Sequence, residues 1–263
     1  MKKASVLIRG DKTPLLSVIT TIVILAAWFL VTALGDVKAV FIPSPASVWA
    51  AFKTVLLTGY KGSTLMQHLG ISMGRLLAAY LLVVLTAVPL GLLSGYSRKV
   101  RAILEPIIDF YRPLPPLAYY TILVLWLGIG ESSKLTLLYL AGFAPVYISC
   151  CAGVMRIRKD YLYGAETLGA NKRQIFFYVI FPAALPDIFT GLRTALGVEY
   201  TTLVAAEMVA ATAGIGWMVL DASNYLRSDI VFMGVIIMGI TGILLDQIIQ
   251  LIERTFVHWK GKE

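Results

Sequence analysis

The chain has 263 residues, of which 58% are hydrophobic and 14% charged, and its mean hydropathy is +0.80. Soluble globular domains carry about 25% charged residues, so this composition excludes an ordinary soluble domain and predicts an integral membrane protein. The formal net charge of +8 is explained by cytoplasmic loops facing anionic lipid headgroups, and we expect no nucleic-acid partner.

Apolar runs of membrane length predict an all-α protein with six transmembrane helices. A helix crosses the bilayer core with about 20 apolar residues. The predicted spans are residues 15–34, 69–93, 102–127, 135–155, 188–211 and 230–252. They fill the chain so completely that we expect residues 1–263 to form a single transmembrane domain.

Lysine and arginine residues indicate the orientation, because short cytoplasmic loops hold an excess of them. The predicted cytoplasmic side carries Lys2, Lys3, Arg9, Lys12, Arg98, Lys99, Arg101, Arg156, Arg158, Lys159, Lys172, Arg173, Arg254, Lys260 and Lys262. The opposite side has only Lys38, Lys53, Lys61, Lys134 and Arg227. We therefore predict that both termini and residues 160–187 are cytoplasmic.

Residues 41–57, which follow the first predicted span, are predicted to form an amphipathic helix outside the membrane. Prolines open the segment, and Trp49 and Phe52 are expected at the membrane interface. A loop that merely covers the spans is the alternative.

Prolines interrupt the third predicted span at Pro113, Pro115 and Pro116. Each proline removes a backbone donor and kinks or breaks a helix. A membrane tolerates such a break where other groups restore the hydrogen bonds or the backbone lines a cavity. Because the break lies beside Asp109 and Arg112, these five residues are candidates for a gate hinge in a transport pathway. The alternative is a static kink in which Asp109 and Arg112 pair at i,i+3 spacing.

Residues 160–187 form a polar, basic insert between the fourth and fifth predicted spans. The pattern predicts two short helices joined at Gly169-Ala170, with Asn171 as the N-cap of the second helix and Gln174 completing a capping box. Pro182 is expected to end that second helix.

Two helices this short need a partner for stability, so the insert is predicted to be a docking element. Small residues one turn apart, Ala165 and Gly169, would let the partner's backbone approach closely. An ordinary loop between two spans is the alternative.

Carboxylates at membrane depth are costly and usually mark a cavity or pathway. Glu199 and Glu207 both lie in the fifth predicted span, and at about 100° per residue they are separated by about 80° around the helix. We therefore expect both, with Thr202 between them, to border one lumen. The alternative is that their hydrogen bonds to other helices hold the bundle together.

Several chemistries have no support in the sequence. The chain lacks a G-x-x-x-x-G-K-[ST] motif, so we expect it to bind no nucleotide. His68 and His258 have no neighbouring cysteine or carboxylate cluster, so no metal site is expected. No nucleophile, base and orienting group can be assembled, and we expect neither catalysis nor a bound cofactor.

Several motifs together suggest a family. They are Gly164-Ala-Glu-Thr-Leu-Gly-Ala170, Ile180-Phe-Pro182 with Leu185-Pro186, Tyr111-Arg-Pro-Leu-Pro-Pro-Leu-Ala118, Leu127-Gly-Ile-Gly-Glu-Ser-Ser-Lys134, Thr190-Gly-Leu-Arg193 and Leu203-Val-Ala-Ala-Glu207. With them the chain, from about residue 42 onward, resembles the permease subunits of bacterial ABC importers in the nitrate, sulfonate and taurine branch, and most of all the taurine type. It departs from the family at Tyr163, where a Glu is usual, at Gly164, where an Ala is usual, and at Glu199, where a small residue is common.

The resemblance implies the type I ABC importer fold, in which a cytoplasmic coupling helix between spans four and five seats in a cleft of an ATPase subunit. It assigns that coupling role to Tyr163, Gly164, Ala165, Leu168, Gly169, Ala170, Pro182 and Pro186. It also implies a bacterial inner-membrane complex with a second copy of the chain, two ATPase subunits that use ATP and Mg²⁺, and a soluble substrate-binding protein. The permease itself would catalyse no reaction.

The resemblance implies taurine or a related alkanesulfonate as the solute, with nitrate or another small organic solute as the alternative. Two other classes remain open from the residues alone. One is an ion-coupled secondary transporter with Glu199 or Glu207 as proton carrier, although no internal repeat is visible. The other is a structural membrane subunit without a pathway.

Overall fold

The computed structural model describes residues 13–35 and 38–259, and the regular structure of these residues is helical apart from one isolated bridge between Tyr60 and Ser63. This confirms the predicted all-α class. The helices, in chain order, are α1 (Thr13–Leu34), α2 (Pro45–Leu57), α3 (Leu65–Tyr96), α4 (Arg98–Tyr111), α5 (Pro116–Leu127), α6 (Glu131–Arg156), α7 (Lys159–Thr167), α8 (Lys172–Ile175), α9 (Phe181–Ala210), α10 (Ile215–Asn224) and α11 (Ser228–Phe256).

Four continuous helices among the described residues are long and apolar enough to cross a membrane: α3, α6, the rod from Lys172 to Ala210, and α11. They contain the second, fourth and sixth predicted spans and all but the last residue of the fifth. Helix α1 covers the first predicted span, and α4 and α5 together cover the third. The count of six spans stays a prediction.

The third predicted span, residues 102–127, is not one continuous helix. Helix α4 ends at Tyr111, and α5 begins at Pro116, with Pro115 before its first turn. The break is the one predicted, because Pro113 and Pro115 cannot donate to a preceding carbonyl, whereas Pro116 at the first position of α5 loses no helical hydrogen bond.

The core forms where α6 packs along both α3 and α9. Small residues allow this close approach: a Cβ at Gly91 of α3 would lie 2.7 Å from the carbonyl oxygen of Tyr147, and one at Gly191 of α9 would lie 2.6 Å from the Cβ of Ser149. In membranes, helices associate by such close packing, since lipid supplies no hydrophobic driving force. The three helices therefore form the rigid frame on which the remaining elements are placed.

The helix predicted within residues 41–57 is present as α2, with the Ser44 hydroxyl accepting a hydrogen bond from the backbone N–H of Ser47. Its location outside the membrane stays a prediction. The rings of Trp49 and Phe52 stack at 5.2 Å. Six basic residues that contributed to the predicted orientation, and with them the location of the two termini, lie outside the described residues: Lys2, Lys3, Arg9, Lys12, Lys260 and Lys262.

A left-handed turn at Gly169 ends α7. The N–H of Gly169 donates to the carbonyl of Glu166, and the N–H of Ala170 donates to the carbonyl of Ala165, which is the Schellman arrangement. Gly169 has φ +81°, a conformation that costs other residues about 1–2 kcal/mol. The structure thus gives Gly169 a conformational role in the turn itself, and the close approach of a partner backbone inferred from its size stays a prediction.

The predicted cap of the next helix is confirmed. The side-chain oxygen of Asn171 accepts from the N–H of Gln174 at 2.9 Å, and the side-chain oxygen of Gln174 accepts from the N–H of Asn171 at 2.8 Å. These two bonds satisfy donors that the first turn of a helix leaves unpaired.

The prediction that Pro182 ends this helix is wrong. Helix α8 continues through a π-helical turn, Phe176–Ile180, directly into α9, so that one rod runs from Lys172 to Ala210. The wider turn places Pro182 in the first turn of α9, where its missing N–H costs little. Residues 160–187 are therefore not one separate insert, because their second half is the base of a membrane-length helix.

Candidate transport pathway and coupling segment

The proline break places Arg112 at the end of α4, where its backbone N–H donates to the carbonyl of Ile108. The Nε of Arg112 lies 3.4 Å from Oδ1 of Asp109, and both side chains are 51% exposed. The i,i+3 pair considered as the alternative from the sequence is therefore present. Pro113, Pro115 and Pro116 form the connection to α5, and their role as a hinge stays a prediction.

Two pockets meet at Arg112. The α5–α6 pocket, of about 270 Å³, has a mainly apolar lining that includes Leu140, Ala144 and Val198. The α4–α6 pocket, of about 400 Å³, has several charged residues in its lining, among them Arg156. Arg112 and Ile148 line both pockets, so the two adjoin each other, and the α6 residues that line them run from residue 140 to residue 156, a rise of about 24 Å.

Glu207 is the centre of a buried polar network and is 1% exposed. Its Oε1 accepts from Nη1 of Arg75 at 2.7 Å and from the hydroxyl of Ser72 at 2.8 Å. Its Oε2 accepts from the backbone N–H of Gly216 at 2.9 Å. Because Ser72 also accepts from the N–H of Ile215, the carboxylate joins α3 and α9 to the first turn of α10. This geometry matches the alternative inferred from the sequence, in which the carboxylate holds the bundle together through hydrogen bonds.

The network continues to α6 through Arg75, which is 8% exposed. Its Nε and Nη2 donate to the two carboxylate oxygens of Glu131, both at 2.6 Å, and its Nη1 also donates to the carbonyl of Ala213. Lys134 donates to the same Glu131 at 3.2 Å. The buried Arg75 and Lys134 are thus balanced by two carboxylates, the buried Glu207 and Glu131, whose side chain is 57% exposed.

Sequence reasoning missed Arg75, although it lies inside the predicted span 69–93. The criterion that selected Glu199 and Glu207 would also have selected Arg75, because an ionisable residue at membrane depth usually has a partner on another helix. The same criterion marks Arg193 on α9 and Asp246 on α11, which pair through two hydrogen bonds at 2.9 and 3.1 Å.

The loop before α3 is fastened to α10 by Asp221. The Tyr60 hydroxyl donates to Oδ2 of Asp221 at 2.7 Å, and Nζ of Lys61 donates to Oδ1 at 2.9 Å. Burial alone would raise the pKa of the Asp221 carboxyl, but the hydrogen bonds from Lys61 and Tyr60 hold that pKa below its usual value. Asp221 therefore remains a carboxylate at neutral pH and keeps the loop attached to the same helix that Glu207 anchors.

Glu199 is fully buried, and neither of its carboxyl oxygens has a hydrogen-bond partner among the described residues. It faces Gly142 of α6, where a Cβ would overlap the carboxyl group. The expectation that Glu199 and Glu207 border one lumen is not met in this structure, because their angular separation turns them toward different helices, α6 and α3. Thr202 lies between them and donates to the Val198 carbonyl of its own helix. A pathway role for these three residues stays a prediction.

We expect Glu199→Met to raise the melting temperature of the protein in detergent. Methionine keeps the length of the side chain but removes a buried carboxyl group without a partner, whose burial costs about 1–3 kcal/mol. Thermal unfolding of the purified chain measures the change. As a matched control, Gly142→Ala should lower the melting temperature, and combining it with Glu199→Ala should restore it, since the overlap is removed. A destabilised Glu199→Met protein would contradict this assignment.

The residues of the predicted coupling segment are divided between an exposed tip and the packed interior. Tyr163 is 59% exposed and Leu168 is 90% exposed, and added Cβ atoms at Gly164 and Gly169 would meet nothing within 4 Å. These four residues form what we call the α7 tip. The remaining predicted coupling residues lie elsewhere: Ala165 and Ala170 pack against the core, and Pro182 and Pro186 lie within α9.

Comparisons with known proteins agree with this architecture. Residues 87–258 match the family described as binding-protein-dependent transport system inner membrane component. The taurine transport system permease protein TauC of Escherichia coli (strain K12) is 43% identical over 248 residues, which cover 94% of this chain and 90% of that protein.

Two further relatives are named for other solutes. The putative aliphatic sulfonates transport permease protein SsuC of Bacillus subtilis (strain 168) is 34% identical, with 91% of this chain and 85% of that protein covered. The nitrate import permease protein NrtB of Synechocystis sp. is 32% identical, with 84% and 82% covered.

Proposed function

The chain belongs to the family of binding-protein-dependent transport system inner membrane components, and we propose that it is the permease subunit of an ATP-driven importer for taurine or a related alkanesulfonate. The 43% identity to a taurine permease over nearly the whole chain supports the choice of solute. Membership of this family carries the argument for an ATPase partner, and we assign the contact with it to the α7 tip, where Tyr163 and Leu168 are 59% and 90% exposed.

The proposed complex contains two copies of this chain, two ATPase subunits and a soluble substrate-binding protein. Each chain supplies one α7 tip, so a pair of ATPases requires two chains, which we place across a C2 axis. ATP and Mg²⁺ bind to the ATPase subunits, and this chain itself binds no cofactor and changes no covalent bond. The complex lies in the inner membrane, with both termini and the α7 tip on the cytoplasmic side.

The continuous rod from Lys172 to Ala210 supports a mechanical coupling of ATP binding to the pathway. When the ATPase pair closes on ATP, the two α7 tips move together. The turn at Gly169 joins each tip to α8, and because no break separates α8 from α9, a displacement transmitted through this turn moves the whole rod. The far end of the rod holds Glu207, so α3 and α10 are pulled at the opposite side of the membrane. ATP hydrolysis then resets the arrangement.

The pathway itself is proposed to follow the track of the two pockets along α6. Asp109, Arg112 and the prolines at 113, 115 and 116 form its hinge, since the helix break lets α4 and α5 change their angle without unwinding either helix. In this scheme Glu199, Thr202 and Glu207 lie on the moving rod, behind the surface that the solute passes.

Reconstitution in liposomes with the partner ATPase and binding protein tests the proposed function. We expect uptake of radiolabelled taurine to require ATP on the ATPase side and to persist when a protonophore removes the proton gradient. An ATPase subunit unable to hydrolyse ATP is the control. Uptake that survives ATP depletion and stops with the protonophore would indicate an ion-coupled transporter. Uptake of nitrate without taurine would favour the alternative solute.

A further inference from the structure

We propose that the α4–α6 pocket is a transit site for a small zwitterion, in which Arg112 binds the sulfonate group and Asp109 binds the ammonium group of one molecule. This inference rests on the proposed function and deepens it, because it selects the zwitterionic taurine over solutes that carry only a negative charge. The pocket has a volume of about 400 Å³.

The balance of charge in the lining carries the argument. The pocket is bordered by the carboxylates of Glu105 and Asp109 and by the guanidinium groups of Arg112 and Arg156. Arg156 is already bound to Asp187, with its Nη1 donating at 2.8 Å. A site for a simple anion requires an excess of positive charge, since carboxylates repel the ligand. A site with both signs close together matches a molecule that carries both.

Asp109 and Arg112 can exchange their contact with each other for contacts with a solute. The two side chains are half exposed and 3.4 Å apart, and exposed pairs of this kind contribute little to stability. A taurine molecule can replace this contact with two contacts of its own. The planar guanidinium group of Arg112 donates hydrogen bonds to the sulfonate oxygens, and the carboxylate of Asp109 accepts hydrogen bonds from the ammonium group. Neither protein charge loses an opposite charge in the exchange, so entry of the solute leaves no charge unpaired.

The position of Arg112 explains how such a site would pass the solute on. Arg112 also lines the mainly apolar α5–α6 pocket, and it lies at the proline break between α4 and α5. Asp109 and Arg112 both belong to the end of α4, so a change in the angle between the two helices moves α5 relative to this pair. Such a movement opens or closes the way from the α4–α6 pocket to the α5–α6 pocket, into which the solute then passes.

Transport measurements with two solutes test the assignment of each charge. Taurine is compared with ethanesulfonate, which lacks the ammonium group. We expect Arg112→Gln to lower the uptake of both by about tenfold or more, the effect of one charge-assisted hydrogen bond. Asp109→Asn should lower only taurine uptake, so that the ratio of ethanesulfonate to taurine uptake rises. Arg227→Gln is the control, since Arg227 is 53% exposed and pairs with Asp229 away from both pockets.

A binding measurement on the full chain alone separates this site from the proposed function. Saturation-transfer NMR detects taurine bound to the purified protein in detergent without ATPase or binding protein. We expect the transfer signal to fall in Arg112→Gln and in Asp109→Asn but not in Arg227→Gln. Equal signals in all variants, or an equal loss of both solutes in Asp109→Asn, would overturn the zwitterion site. Absence of ATP-dependent sulfonate uptake by the wild-type complex would instead overturn the proposed function.

Discussion

Replacing Glu207 with alanine is expected to lower the free energy of unfolding by about 3–5 kcal/mol, because it removes one partner of a buried ion pair and leaves the other charge under-compensated. The carboxylate accepts hydrogen bonds from Arg75, Ser72 and the backbone of Gly216, all within 2.9 Å. Its loss also releases α10 from the rod, so uptake should fall together with stability. Chemical unfolding of the purified chain in detergent measures the first effect, and uptake in liposomes measures the second.

Glu207→Gln should have an intermediate effect. An amide offers one acceptor oxygen where the carboxylate offers two, and its NH₂ group would face either Arg75 or the N–H of Gly216, both of which are donors. We therefore expect Glu207→Gln to be less stable than the wild-type protein and more stable than Glu207→Ala.

Asp160→Ala is the control for Glu207→Ala, because Asp160 also pairs with an arginine, at 2.7 Å. Its pair with Arg158 lies outside the predicted spans and is 70% and 72% exposed, so we expect a loss of no more than about 1 kcal/mol. Equal losses in the two alanine variants would show that burial of the Glu207 network does not determine its contribution.

Leu168→Glu is expected to abolish the coupling of transport to ATP hydrolysis without destabilising the chain. A leucine 90% exposed in the isolated chain contributes almost no burial there, so the change in unfolding free energy should stay within about 0.5 kcal/mol. If the α7 tip seats in an ATPase cleft, a charge at its centre should cost about 2 kcal/mol or more of binding, a loss of roughly thirtyfold.

Co-purification of the ATPase subunit and the rate of ATP hydrolysis stimulated by the binding protein measure this effect. Leu57→Glu provides a control of similar exposure, since Leu57 is 79% exposed at the end of α2, far along the chain from the α7 tip. Normal stimulated ATP hydrolysis in Leu168→Glu would show that the α7 tip is not part of the interface with the ATPase.

Features set by neighbouring residues were predictable. The apolar runs gave the membrane-length helices, because length and composition alone decide whether a helix suits a bilayer. The capping box at Asn171 and Gln174 was found because both partners lie within one turn. The break at Pro113–Pro116 followed from the missing donors of proline itself.

Local rules failed where a local irregularity or a distant partner intervened. Pro182 was expected to end a helix, but the π-helical turn before it shifts the hydrogen-bond register and lets the rod continue. The positive φ that the turn requires at Gly169 was not predicted, because only the small size of glycine was considered. In each case the composition identified the segment correctly, but the sequence did not predict the backbone conformation within it.

The sequence by itself determined that this is a helical membrane permease with a polar segment between two spans, since composition, apolar length and short motifs are properties of contiguous residues. Only the tertiary structure decided the partners of the intramembrane charges. Arg75 and Glu207 are 132 residues apart in the chain, and nothing in either span specifies the other. Glu199 and Glu207 look alike in sequence, but one faces a glycine without a hydrogen-bond partner and the other faces an arginine. Which neighbour a helix face meets depends on how the bundle packs, and that packing is a property of the whole chain.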